Sequence, residues 1–333
     1  MSPFARRVLS AIRTPRPECH SHAASGAGHD ATRMLELVET PEPCRVESAD
    51  GRVTGYYEYG DPSGLPVIAL HGTPACGAGF AWADEPARTR GIRLLAPDRP
   101  GVGESDRWPP GPGVTVSDYP PLLRAFTDAL DISTFSVLGY SGGGPYALAA
   151  AQFLPDRIRS AAVVSGAGQV GVWASVGDFE ATDRRLTHLA NRAPALARVV
   201  LWGSARAARV APRLSLRFAQ IEMTAADRAV MARFPSARAA LAVFSQSVGR
   251  SAAGVVDDYA AIGRPWGFPV EAISIAVHCW HATTDPIVPL RHSDELVRRI
   301  PGARLSRWIG EGHLAIVDHI GEVLDALTET AST

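Results

Sequence analysis

The 333-residue sequence contains no lysine, so its 33 basic residues are all arginine. Lysine-dependent catalysis such as Schiff-base formation is therefore excluded, and the bias reads as the codon usage of a high-GC genome rather than as chemistry. Cysteine is scarce as well. The four cysteines, Cys19, Cys44, Cys76 and Cys279, stand far apart, a spacing that indicates neither a disulfide framework nor a thiolate zinc site. Neither sign of charge is in excess: the formal net charge is −1, which gives no global electrostatic case for nucleic acid or an anionic membrane as partner. Long hydrophobic runs are missing too, with nothing near the roughly 18 apolar residues of a membrane span. The opening MSPFARRVLSAIRTPRP has an apolar run broken at Arg13 and Pro15, so it lacks the core of an export signal. These absences predict a soluble, cytoplasmic protein with no nucleic acid and no membrane as partner and leave a small-molecule substrate open; oligomeric state is left open too.

What is present is ordinary globular material, 46% hydrophobic and 20% charged, enough to bury a substantial core. Residues 1–38 are rich in Pro, Ser, Gly and Ala without a sustained period and read as a tail. Its Cys19, His20, His22 and His29 invite a metal reading, but chance histidines on a solvated tail explain them without one. From about residue 45, GRVTGYYEYGD reads as a strand pair, LPVIALHG and GIRLLAPDRPG as strands, VSDYPPLLRAFTDAL as a helix, FSVLGY as a strand and GGPYALAAAQFL as a helix. IRSAAVVSG gives another strand, and alternating strands and helices imply a mostly parallel sheet covered on both faces. Over 168–265 the strand pattern stops and helical periodicity takes over, with Thr224 and Ser236 as N-caps and Pro194, Pro212 and Pro235 as punctuation. The alternation then resumes with ISIAVHCW, RHSDELVRRI, ARLSRWI and LAIVDHIGEVLDALT. The division is a core over 39–167 and 266–333, interrupted by a helical insertion over 168–265.

Ligands of open parallel sheets bind beyond the carboxyl ends of the strands. Four signals fall at such ends. The first is Gly139-Tyr140-Ser141-Gly142-Gly143, a G-x-S-x-G pattern between a strand and a helix, where glycines permit a tight turn that raises the serine hydroxyl above the sheet. The second is His71-Gly72-Thr73-Pro74. Attack on an ester creates an oxyanion that needs preorganised backbone donors, and the N–H groups of Thr73 and Gly142 are the candidates. The third and fourth are Asp285 in HATTDPIVP and His313 in GEGHL. A serine hydroxyl needs an imidazole to take its proton and a carboxylate to fix that imidazole, and the order Ser141, Asp285, His313 suits a strand-to-helix elbow. His281 shares a loop with Asp285, while His278, His292 and His319 fall on regular elements. Asp98 is the rival acid, read instead as the tie of its own glycine-rich turn, and Asp178 and Glu180 lie inside the insertion.

Together these residues resemble the α/β-hydrolase fold superfamily. The likeness rests on His71-Gly72, the run DRPGVGES from Asp98 to Ser105, Gly139 to Gly143, Asp285 with Val288-Pro289, and Gly312-His313, and it spans about 60–325. It implies a sheet of about eight strands, a helical cap inserted after the sixth, a Ser-His-Asp triad and no cofactor or metal. One departure is Ala282-Thr283-Thr284-Asp285, where Gly-x-x-Asp is usual before the acid. A cap over a serine site supplies apolar walls. The substrate-binding candidates are His71 and Tyr140 beside the elbow and Trp173 and Phe179 from the insertion, whose other aromatics are Trp202, Phe218, Phe234 and Phe244. The implied activity is hydrolysis of a carboxylic ester or lactone with a small or medium apolar acyl group. A carbon–carbon hydrolase or lyase on the same triad, and a non-catalytic small-molecule receptor, are the alternatives. Dehalogenase and epoxide-hydrolase readings are disfavoured because those relatives carry aspartate where this chain has Ser141.

Overall fold

The computed structural model describes residues 42–109, 113–249 and 251–329; the tail read over 1–38 lies outside them. Eight strands form one sheet: β1 (Cys44–Glu47), β2 (Val53–Gly60), β3 (Leu65–Leu70), β4 (Ile92–Pro97), β5 (Phe135–Tyr140), β6 (Ile158–Val164), β7 (Ala276–Ala282) and β8 (Arg304–Trp308). Their order is β1-β2-β4-β3-β5-β6-β7-β8. The β1/β2 and β2/β4 pairs are antiparallel and every other pair is parallel. One strand reading needs correction: GRVTGYYEYGD forms the single strand β2, paired with the upstream CRVE. The turn between them falls earlier, where Ser48 donates its N–H to Arg52 O at 2.8 Å and Gly51 takes a φ of 79°.

The central strands read as nearly unbroken apolar runs because both faces are covered. Successive residues alternate between two cores: Val67 and Ala69 of β3, Leu94 of β4 and Leu138 of β5 join one, whereas Ile68, Leu70, Leu95 and Val137 join the other. The flanking helices are α1 (Asp84–Arg88), α2 (Tyr119–Ala129), α3 (Gly144–Phe153), α11 (Arg291–Arg299) and α12 (Ile316–Glu329). Between β6 and β7 lie α4 (Ala181–Arg192), α5 (Pro194–Val210), α6 (Pro212–Ala219), α7 (Ala225–Met231), α8 (Ala237–Ala240), α9 (Ala242–Val248) and α10 (Ala253–Ile262).

Local chemistry sets these boundaries. Pro194 and Pro212 open α5 and α6, where a missing N–H costs nothing. The Thr224 hydroxyl accepts from Asp227 N at 3.0 Å and Ser236 Oγ from Ala239 N at 3.1 Å, each capping the helix that follows. Arg233 clasps Asp318 of α12 through two hydrogen bonds, 2.6 and 2.8 Å, and so ties the helical block to the core. Cys76 and Cys279 are buried thiols. Among the described residues no helix is long and apolar enough to cross a membrane.

Candidate active site

The strand-to-helix elbow forms where the glycines place it. β5 ends at Tyr140, a short 3₁₀ turn covers Ser141–Gly143, and α3 starts at Gly144. Ser141 sits at φ 54°, a left-handed conformation that is strained for a residue with a side chain and is concentrated at functional sites. Two glycines make the turn possible. A β-carbon at Gly139 would lie 2.7 Å from Ala147 Cβ and 2.8 Å from Gly144 Cα, and one at Gly143 would collide with the Leu70 carbonyl.

Asp285 and His313 come together. The turn after β7 closes with Asp285 N donating to Ala282 O at 3.3 Å, and Ala282 is not among the positive-φ residues, so its backbone does not require glycine. One Asp285 oxygen, Oδ1, accepts the N–H groups of Ile287 and Val288 at 2.9 and 3.0 Å. The other, Oδ2, accepts from His313 Nδ1 at 2.7 Å, which leaves Nε2 unprotonated and free to take a proton. Burial disfavours charge on both groups, but each stabilises the other: Asp285 is held well below the usual carboxylate range and His313 is raised above its ordinary value. His281 backs the acid. Its Nε2 donates to Val288 O at 2.8 Å and lies 3.4 Å from Asp285 Oδ2, while Nδ1 accepts from Ser293 Oγ at 2.7 Å.

The turn after β3 lies alongside the elbow. A β-carbon at Gly72 would stand 3.6 Å from Ser141 Oγ, and one at Gly142 would stand 2.7 Å from Thr73 Oγ1. A buried guanidinium holds this turn: Arg99 donates to the carbonyl of His71, to Gly72 O at 3.1 Å and to Thr73 Oγ1 at 2.8 Å. Asp258 of α10 accepts from Arg99 Nε and Nη2 at 2.9 and 2.6 Å, and from Tyr146 OH at 3.0 Å. Thr73, the expected oxyanion donor, thus sits on a turn that Arg99 braces. The Gly142 N–H opens a helical turn and has no intrahelical carbonyl to bond.

The four substrate-binding candidates separate. Tyr140 stays at the site: its ring centroid is 5.2 Å from that of His313, and its hydroxyl donates to the His313 carbonyl at 3.1 Å. His71 is buried with both nitrogens engaged by backbone, Nδ1 donating to Gly72 O at 2.8 Å and Nε2 accepting from Arg99 N at 3.2 Å. It braces the turn after β3, and burial beside Arg99 keeps it neutral. Trp173 and Phe179 pack around His292 of α11, at centroid distances of 6.3 and 5.6 Å, rather than at the elbow. Trp202 and Phe218 are exposed, and Phe234 and Phe244 pack against the core.

The rival acids find other partners. Asp98 accepts the Gly77 and Glu104 N–H groups at 2.8 and 3.3 Å and ties its glycine-rich turn, and burial lifts its carboxyl to about 7. Asp178 pairs with Arg291 at 2.7 Å, and Glu180 caps α4. Sequence reading missed Asp227, Asp258 and the bracing role of Arg99, for no local pattern marks partners 87 and 159 residues away.

A model of the alpha/beta hydrolase fold matches residues 66–320. The chain is 34% identical over 130 residues to a non-heme chloroperoxidase of Streptomyces lividans, covering 38% of this chain and 46% of that protein. It is likewise 34% identical over 144 residues to a 2-hydroxy-6-oxo-2,4-heptadienoate hydrolase of Pseudomonas putida, covering 42% and 47%. The chain thus spans about half the length of the curated relatives it matches. Among solved structures, an esterase from Exiguobacterium antarcticum superposes with a TM-score of 0.64 at 18% identity, over 87% of this chain and 99% of that one. That likeness speaks for the fold alone. On the match across its core, the chain belongs to the alpha/beta hydrolase fold family.

Proposed function

We propose that the protein is a serine hydrolase that cleaves a carboxylic ester or lactone of a small or medium apolar substrate through an acyl-enzyme. The observation that carries this reading is the 2.7 Å bond from His313 Nδ1 to Asp285 Oδ2, in a chain whose Ser141 is held left-handed on the elbow. His313 Nε2 takes the Ser141 proton as Oγ bonds to the substrate carbonyl carbon, and the oxyanion meets the N–H groups of Thr73 and Gly142. The C–O bond to the alcohol then breaks, with the proton passing from His313 to the leaving oxygen. Water, deprotonated by His313, attacks the acyl-enzyme and releases the acid and Ser141. No cofactor enters these steps. The helical block over 168–265 acts in this reading as a cap that excludes water, with Tyr140 as one wall of the site.

The second reading is carbon–carbon bond hydrolysis on the same residues, favoured by the match to a dienoate hydrolase. Intact mass after fluorophosphonate treatment, with a nitrophenyl ester series of increasing acyl length, tests both. A single adduct with steady turnover peaking at one acyl length supports the esterase. An adduct without steady ester turnover moves the reading to carbon–carbon chemistry, and no adduct on folded protein moves it to a receptor.

A further inference from the structure

Away from the elbow, a cavity of about 480 Å³ opens where α4, α5 and α10 meet the segment after the glycine-rich turn. Ser141, Asp285 and His313 do not line it. Its walls carry three arginines, Arg107, Arg198 and Arg264, against one acid, Asp257. In a chain of net charge −1, that is a concentration of positive charge in one concave place.

These arginines are unevenly committed. Arg107 pairs with Asp257 at 3.2 Å, an exposed cation against a mostly covered carboxylate. Arg264 uses only Nε, donating to Asn191 Oδ1 at 2.6 Å, and its terminal nitrogens bond nothing among the described residues. Arg198 has no ion pair or hydrogen bond among the described residues, although its charge favours the ionised Asp257 carboxylate nearby, and its Nε is buried without an acceptor. The same holds for the indole N–H of Trp108, which also lines the cavity. Buried polar atoms without a partner number six among the described residues, so two of them fall at this one place. A buried donor without an acceptor is costly. The Trp108 N–H and the under-used guanidiniums of Arg198 and Arg264, three groups on one cavity, lack the same thing, an acceptor bearing negative charge.

We propose that this cavity is a binding site for a small oxyanion, a carboxylate or phosphate compound held by Arg198 and Arg264 with Trp108 beside it. Guanidinium forks suit such groups because paired N–H donors match paired oxygens. Asp257 opposes the ligand: it faces the cavity, competes for Arg107 and repels an incoming anion. It adjoins Asp258, the partner of Arg99, on α10. The site is independent of the ester-hydrolase reading, since none of the proposed catalytic residues takes part.

The test is calorimetric titration of the full chain with inorganic phosphate and, separately, with succinate, at ionic strength held constant with sodium chloride. Saturable one-site binding of either anion is expected; phosphate alone or succinate alone identifies the headgroup. Arg198→Gln and Arg264→Gln should each weaken binding by about tenfold or more, the scale of one charge-assisted bond. Asp257→Asn should tighten it, and Arg124→Gln, which alters an exposed pair with Asp156 elsewhere, should leave it unchanged. Thermal unfolding checks that each variant is folded. The proposal is overturned if neither anion binds above the chloride background, or if both glutamine variants bind as the parent does.

Discussion

The Asp227 carboxylate accepts the backbone N–H of Leu314 at 2.8 Å, so an acid on α7 holds the residue directly after His313. The same side chain accepts from Thr224 Oγ1 at 2.7 Å and closes that helix's capping box, so one buried carboxylate joins the helical block to the proposed base. Its negative charge also adds to the upward shift of His313. Asp227→Asn keeps an acceptor but removes the charge. The expected outcome is a several-fold loss in kcat/KM with the acid limb of the pH profile moved to lower pH. An unmoved limb would show that Asp227 only stabilises the fold, a role readable separately from thermal unfolding.

Ser141→Ala removes the proposed nucleophile and nothing that the fold depends on, since the hydroxyl bonds no other residue among those described. Turnover of the best nitrophenyl ester should fall by several orders of magnitude, the scale seen when a triad member is lost. The fluorophosphonate adduct should vanish while the unfolding transition stays close to that of the parent. Activity near the parent level would remove Ser141 from the mechanism.

Legibility in the sequence followed the range of the interactions. The parallel sheet shows as apolar runs such as LPVIAL and FSVLGY, and Thr224, Ser236, Pro194 and Pro212 mark helix starts because caps act within three residues. The elbow at Ser141 and the pairing of Asp285 with His313 were legible because each motif sits at a strand end, where topology alone brings it to one edge of the sheet. Side-chain destinations were not legible. His71 had the right address beside Thr73, yet its nitrogens are taken up by the Gly72 carbonyl and the Arg99 N–H, and only three-dimensional packing decides that. Trp173 and Phe179 carried the composition of a pocket wall, but the same apolar rings serve equally to bury His292.

The pH dependence follows from the His313–Asp285 pair. An unperturbed histidine titrates near 6.5, and the sequence alone placed the acid limb there; the structure moves it upward. His313 serves as a base only when neutral, so kcat/KM should rise with pH through a midpoint above about 6.5. The linkage has two signs. The raised His313 contributes stability that is present below its unfolded value and lost as pH rises through the folded one. The depressed Asp285 contributes stability that is present above about 3.9 and lost as pH falls. Asp285→Asn should move the limb to lower pH and reduce kcat sharply, measured as rate against pH on one ester. A profile flat from about pH 5 to 8 would exclude histidine as the base.

The turn proposed to hold the oxyanion is braced by an ion pair that spans 159 residues, and its test separates positioning from folding. Arg99 and Asp258 are 0% and 1% exposed at the side chain, and Arg99 also stacks over the Tyr146 ring at 4.8 Å. Removing one member leaves the other charged and unpaired, so Asp258→Ala should cost about 3–5 kcal/mol of stability. Arg99→Lys is the more informative change. It keeps the charge for Asp258 but loses the fork that reaches the His71 and Gly72 carbonyls and Thr73 Oγ1. If that fork aims the Thr73 N–H, Arg99→Lys should lower kcat by about tenfold to a hundredfold with little change in KM, because an oxyanion donor acts only in the transition state. Affinity for a trifluoromethyl ketone, which forms the tetrahedral adduct, should fall in parallel with kcat. A fall in stability with kcat and inhibitor affinity unchanged would leave Arg99 a purely structural residue.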